Sequence, residues 1–263
     1  LTEDHYDYNA AYHNDRFPLS NKYDGKWVAE NQMGPNALWL AEWLVEEMTL
    51  EPGMRVLDMG CGTAMTSLFL AKEFGVTVFA NDLWISATDN WKRIVEAGVS
   101  DRVFPIHAEA HALPYADGFF DAIVSLDSYQ YYGTDDLYLN TIVKFLKPRG
   151  QIGIVVPALM REFPDGEVPE HLTHKREDGS VFWVDACWCI RTLDWWKVHW
   201  SHSSMVTVEV ADTLEDGGAL WLQHEKVKQP EKRVNPFPPD VDVLEADGGR
   251  YIGFVRLIAK RVE

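Results

Sequence analysis

The sequence predicts an α/β protein, doubly wound around a mostly parallel sheet of seven strands. Three observations carry that expectation. Short apolar runs alternate with segments of helical pattern from about residue 36 to residue 156, as strand–helix–strand units covered on both faces require. One run, residues 54–58, opens directly into the turn Met59-Gly60-Cys61-Gly62-Thr63-Ala64 and then a helix. Another, residues 76–80, leads to a carboxylate at Asp82.

The elements follow in order. Residues 1–35 hold Tyr6, Tyr8, Tyr12, Phe17, Tyr23 and Trp27 among polar residues. Disordered tails lack aromatics, so this reads as an ordered arm, lying over the ligand crevice or packed on the outside of the domain. Met33-Gly34-Pro35-Asn36 opens a helix over 37–48, since Pro is tolerated in a first turn, with Leu40, Trp43, Leu44 and Met48 facing the sheet. A helix from near residue 64 follows the glycine turn, and another over 89–97 stops at Gly98. Strands are expected at 102–107, 122–126 and 151–156, with a helix over 137–146 between the last two.

Residues 157–180 are rich in Pro, Gly and charge and predict a long connection. Residues 181–200 hold Trp183, Trp188, Trp195, Trp196 and Trp200, with a helix from about 192. A strand at 205–211, a helical stretch at 214–229, an irregular segment at 235–239 and a closing strand at 250–262 complete the chain. No second domain boundary is visible. The reading is one domain over 1–263, with the arm at 1–35, a ligand-binding core at 36–156, an aromatic-rich lid insertion at 157–204 and C-terminal strands at 205–263.

Composition narrows the partners. The 263 residues are 46% apolar, with 11 Trp, 10 Tyr and 12 Phe, enough for one large core and some pocket lining. The net charge of −17, without a cluster of four Lys/Arg, opposes a nucleic-acid backbone and an anionic membrane as partners. A small molecule remains. Cys61, Cys187 and Cys189 make no disulfide framework, and no apolar run approaches the ~20 residues of a membrane span. With no secretory segment at the start of the sequence, a soluble cytoplasmic protein is expected.

The glycine turn has a physical logic. Gly60 can take a φ that other residues resist, and Gly62 lets a ligand approach the backbone. The turn aims helix N-terminal amides at the crevice above the sheet, where open α/β sheets bind ligands. Asp82 lies 24 residues after Asp58, near the spacing of a carboxylate that accepts ribose hydroxyls. The plainer reading of Asp82 is a strand-end turn residue. The turn reads Gly-x-Gly-x-Ala, a poor fit to dinucleotide binding.

The stretch 56–62, the pair Asn81-Asp82, the run Glu109-Ala110-His111-Ala112-Leu113-Pro114-Tyr115, the strand entered by Phe119-Phe120-Asp121, and Leu146-Lys147-Pro148-Arg149-Gly150 follow one another in a recognisable order. Together they resemble the class I, Rossmann-like S-adenosylmethionine-dependent methyltransferases, specifically the small-molecule branch. The resemblance covers roughly residues 50–156. It implies an antiparallel hairpin at the C-terminal end of the sheet and S-adenosylmethionine as cofactor. Gly60, Cys61 and Gly62 would admit its methionyl part, with Asp58 orienting the loop or meeting the ammonium. Asp82 would take the ribose, Leu83 or Trp84 the adenine face, and Glu109 with Ala110 the adenine edge. The family's usual residue at 109 is Asp, so Glu109 is a departure.

By the same resemblance the end of the fourth strand faces the transferable methyl. Asp127 and a tyrosine, Tyr129 foremost, are then candidates for contacting or deprotonating the acceptor. Alternatively the tyrosines pack and Asp127 caps a turn. Tyr23, Trp27, Tyr131, Trp196 and Trp200 are candidates for an aromatic acceptor pocket, although adjacent Trp195 and Trp196 on a helix must point apart. His107, Glu109 and His111 would share one face if the strand continued through them, but Leu113-Pro114 marks a loop, and no metal is expected there. The Cys187-Trp188-Cys189 pair lacks further ligands nearby. The function expected is methyl transfer to an N, O or S atom of a small molecule. A nicotinamide-dependent oxidoreductase and a non-catalytic S-adenosylmethionine-binding protein are the alternatives. The Trp-rich segment would also suit a homo-oligomeric contact.

Overall fold

The computed structural model describes residues 6–176, 179–234 and 240–263. The arm forms α1 (Tyr8–Tyr12) and α2 (Gly25–Asn31), and α3 (Ala37–Val45) follows. The core runs β1 (Arg55–Met59), α4 (Met65–Phe74), β2 (Thr77–Asp82), α5 (Ala87–Glu96), β3 (Val103–His107), β4 (Phe120–Leu126), α6 (Tyr138–Ile142) and β5 (Leu146–Leu159). Then come α7 (Glu170–Thr173), β6 (Arg191–Thr192), α8 (Leu193–Ser201), β7 (Val206–Thr213), α9 (Gly217–Glu225), α10 (Val241–Asp247) and β8 (Ile252–Arg261). The irregular segment expected at 235–239 lies outside the described residues.

The sheet order is β3-β2-β1-β4-β5-β8-β7, with β6 paired to the end of β5. All pairs are parallel except β5–β8 and β7–β8. The doubly wound, mostly parallel sheet with an antiparallel C-terminal strand is therefore present. It has eight strands and not seven. The extra one, β6, is two residues long, too short for any alternation to register in sequence.

Two buried layers sandwich the sheet. Val56 and Val78 face a layer built from α3, α4 and the arm, whereas Leu57 and Met59 face one containing Tyr129, Tyr138, Trp196 and Trp200. This is the period-2 alternation of a strand covered on both sides. Helix α3 is buried around its whole circumference, beyond the single face expected. The arm covers its outer side: Phe17 stacks on Trp39 at 5.8 Å, and Tyr12 meets the same ring edge-on at 6.2 Å. Glu42, buried on α3, accepts the Leu19 and Ser20 amides at 2.9 and 2.7 Å and the Ser20 hydroxyl at 2.7 Å. A buried carboxylate needs such donors, and these fix the arm. Asn36 caps α3 by accepting the Leu38 and Trp39 amides, so Pro35 precedes the cap rather than filling the first turn.

The helix expected over 137–146 shortens to α6 and a 3₁₀ turn at Val143–Phe145, because β5 begins at Leu146. Helix α10 had no counterpart in the sequence reading. No described helix is long and apolar enough to cross a membrane.

Candidate active site

At the C-terminal ends of β1, β2 and β4 lies an open pocket, lined by the turn after β1, the ends of β2 and β4 and the arm. Its floor is the turn after β1. The Gly60 and Cys61 amides both donate to Asn81 O, at 2.8 and 3.0 Å, pinning the turn to the end of β2. Gly60 has φ +69, and a Cβ there would lie 1.8 Å from Ser128 Oγ. Left-handed backbone and close approach both demand glycine. Ala64, with φ 65, provides no side-chain cap for α4, whose first-turn residues Met65 and Thr66 line the pocket. A helix start of this kind favours a negatively charged ligand group.

Asp82 forms one wall. Its Oδ2 accepts the Gly62 amide at 2.8 Å, and its Oδ1 accepts the Trp84 and Ile85 amides at 2.7 and 2.8 Å. The carboxylate is thus fixed between the turn and the segment carrying Leu83 and Trp84. Both of those side chains border the pocket and are largely exposed. Glu109 and Ala110 border it as well. Glu109 accepts the His111 amide at 2.9 Å and pairs with His111 Nδ1 at 2.7 Å, which holds its carboxyl below the usual range. His107 Nε2 meets Leu83 O at 2.8 Å instead, so His107, Glu109 and His111 do not converge.

The opposite wall follows β4. Asp127 has φ 48, and its Oδ2 is so close to Gly34 that a Cβ there would sit 2.2 Å away. Gln130 Nε2 donates to its Oδ1 at 3.2 Å. Burial pushes the Asp127 carboxyl up to about 7, and Glu225 nearby adds to the rise. Beside it, Ser125 and Tyr132 hydroxyls lie 2.9 Å apart, and Ser128 Oγ donates to Tyr132 Oη at 3.1 Å. Tyr131 stands at the rim, 6.5 Å from the Trp84 ring.

The arm closes the near side through Asn31, Met33, Gly34 and Pro35. Thr63 Oγ1 donates to Asn31 O at 2.6 Å, and Arg93 Nε donates to Asn31 Oδ1 at 3.1 Å. Asn90 Nδ2 donates to Gly62 O at 2.8 Å. Turn, arm and α5 therefore form one network. Behind it, buried His224 donates from Nε2 to Gly34 O at 3.0 Å, and burial lowers its imidazole to about 4.

Of the residues singled out in sequence, Gly60, Cys61, Gly62, Asp82, Leu83, Trp84, Glu109, Ala110, Asp127 and Tyr131 all line this pocket. The other cofactor, catalytic and acceptor candidates do not. Asp58 is buried beneath it, accepting Ser67 Oγ at 2.6 Å and tying α4 to β1; burial raises its carboxyl to about 7. Tyr129 is turned into the second core layer, so Tyr132 is the tyrosine whose hydroxyl sits at this wall. Trp196 and Trp200 are fully buried around Tyr129, with ring centroids at 5.9 Å from it in both cases. Their helical phase faces the sheet and not the ligand. Tyr23 and Trp27 stack at 6.0 Å over a separate depression beside Lys72 and Arg93. No single aromatic acceptor box forms.

Asn31, Met33, Gly34 and Asn90 were missed as site residues, and Tyr132 stood only among the tyrosines after β4. The polar Asn31 beside the Met-Gly-Pro run was the available hint, since a chain reversal there must point back at something.

Residues 56–150 match the family described as "Methyltransferase domain". The chain is 30% identical over 138 residues to "Methyltransferase GfsG" of Streptomyces halstedii, covering 51% of this chain and 50% of that protein. The chain thus spans about half the length of that curated relative. Among solved structures it is similar to geranyl diphosphate methyltransferase in complex with SAM (TM-score 0.64, 16% identity, 85% of each chain). It is also similar to the [4+2]-cyclase SpnF (TM-score 0.63, 19% identity, 89% of this chain and 84% of that one). Residues 56–150 thus match a methyltransferase domain, and the fold around them is the one these solved structures share.

Proposed function

We propose that the chain transfers the methyl group of S-adenosylmethionine to an N, O or S atom of a small acceptor lacking phosphate or other strong negative charge. The observation that supports this most is the pocket's charge. Asp82, Glu109 and Asp127 line it, and no Lys or Arg is among its lining residues. Such a wall suits a cationic sulfonium and ammonium, and it opposes the pyrophosphate of a nicotinamide cofactor.

The donor set fits the cofactor. Asp82 offers acceptor-only oxygens to paired hydroxyls, and the uncapped start of α4 offers amides to a carboxylate. Leu83 supplies an apolar face, and Glu109 with Ala110 supplies an edge. Asn81 Oδ1, buried without a hydrogen-bond partner at the pocket wall, is a further acceptor. Bound there, the cofactor provides an electrophilic methyl whose leaving thioether is neutral.

The chain's own residues then align and dry the acceptor. Met33, Gly34 and Pro35 exclude water on one side, and Ser128 and Tyr132 position hydroxyls on the other. With its carboxyl near 7, Asp127 is placed to take the proton of an amine, phenol or alcohol acceptor as the new bond to carbon forms. Exposed Trp84 and Tyr131 provide a flat apolar rest for the acceptor's body.

Calorimetric titration of S-adenosylmethionine, beside an NAD control, tests the reading. Micromolar binding of the sulfonium cofactor alone is expected. Binding of NAD, or of neither, would overturn it. The fold alone does not settle the chemistry, so product analysis with amine, thiol and phenol acceptors follows.

A further inference from the structure

On the far side of the loop that carries Tyr131 and Tyr132 lies a cluster without a role in the pocket. Asp136, His199 and His202 each offer one ligand atom, and these atoms all lie within 4.8 Å of one another. His199 sits in the last turn of α8 and His202 is its C-cap; an i, i+3 pair of this kind faces one side. Asp136 comes from the loop preceding α6. We propose that these three side chains bind a divalent transition metal of the Zn²⁺ class, clamping α8 to the loop that forms the acceptor wall.

The argument begins at His199, which is buried. Its Nε2 lies 2.9 Å from Gly133 O, and a carbonyl can only accept, so Nε2 carries the hydrogen. In the tautomer with the hydrogen on Nε2 alone, the Nδ1 lone pair points outward, 3.5 Å from Asp136 Oδ1. Two acceptors then face each other, and an electropositive centre belongs between them. A backbone carbonyl holding the far nitrogen is the outer-shell arrangement that orients histidine ligands in metal sites. Trp195 further fixes the ring, stacking on it at 4.5 Å and 18°.

A proton on Nδ1 would satisfy the His199–Asp136 pair alone. The third group favours a metal, because His202 brings another imidazole to the same point. Two imidazoles and a carboxylate are the donor set of zinc sites that keep a fourth position for water. Tetrahedral zinc holds its ligand atoms roughly 3.3 Å apart, so the cluster must tighten. The two groups that would swing, Asp136 and His202, are both exposed, and the anchored one need not move. The Gly133 amide also donates to Tyr129 O at 2.6 Å, so the clamp would act on the turn that aims Tyr131 and Tyr132.

Chelator-treated full-length chain, titrated with Zn²⁺ by calorimetry and with Co²⁺ by visible ligand-field absorption, tests this. One-to-one binding is expected, weakened roughly tenfold or more by either H202A or D136N and unchanged by the C187S/C189S double substitution. Zn²⁺ should also raise the Tm of the parent chain and of neither His202 nor Asp136 variant. Both substituted residues are exposed, which separates ligand loss from unfolding. No saturable binding, binding indifferent to H202A and D136N, or binding lost only in the cysteine variant would each overturn the proposal.

Discussion

Asp82 and Asp127 stand at the ends of β2 and β4, the two strands that flank β1, and they line opposite walls of one pocket. Their surroundings differ in kind. Three backbone amides hold Asp82 in place. Asp127 sits on left-handed backbone against Gly34, with the Gln130 side-chain amide donating to it and a carboxyl pushed up to about 7. On the proposed function, the same residue type would serve recognition on one side and proton exchange on the other. Environment, not identity, divides the two roles.

The comparison can be broken at either end. Asp82→Ala removes the acceptor and frees three amides, so S-adenosylmethionine affinity should fall roughly 100-fold or more, about 3 kcal/mol, by calorimetry. Asp127→Asn should leave that affinity nearly intact while kcat drops about 10- to 100-fold. Should both substitutions act on binding alone, the division of roles is wrong. For the parent protein, kcat/KM should climb with pH to a plateau above about 7, because the base must lose its proton; the Asn variant should lack that limb.

Asp127 also leaves a signature in stability. Its folded carboxyl value of about 7 lies above the unfolded one of about 3.9. The native state therefore holds the extra proton between those values, stability falls as pH rises across the window, and the penalty is complete above about 7. Asp127→Asn should raise Tm at pH ~8 relative to the parent and do little near pH ~4. Equal shifts at both would refute the buried carboxyl. The smallest effect is expected at the rim: Trp84→Ala should raise the acceptor KM a few-fold, by about 1 kcal/mol, with kcat retained. A kcat loss there would move the chemistry toward the rim.

How much of this was legible follows from where each signal is stored. Asp82 was readable because a strand end and a spacing are both local patterns, and Gly60 because a left-handed turn leaves a glycine in the text. The strand-by-strand order of the core was readable for the same reason. Tyr129 and Tyr132 were not distinguishable: a 3₁₀ turn over Tyr129–Tyr131 decides which ring is buried, and no sequence period announces it. Trp196 and Trp200 lie four apart on α8, as a helix face requires, yet nothing local says whether that face meets sheet or ligand. The arm's docking rests on Glu42 accepting from residues more than 20 positions away, a tertiary fact. Two-residue β6 was below the length at which alternation has meaning.

The strand order has a consequence for synthesis. β8 lies between β5 and β7, yet its residues follow those of β7 in the chain. As the polypeptide leaves the ribosome, β7 emerges with no strand to pair with, and β5 waits with Ile152, Ile154, Val155 and Val156 along an open edge. β8 arrives about 40 residues after β7 and about 90 after β5, delays of about 2–8 s and about 5–18 s at ordinary elongation rates. An apolar edge exposed for that long invites capture by other nascent chains. Chains stalled before residue 252 should be cut by protease between β5 and β7, and released chains should resist.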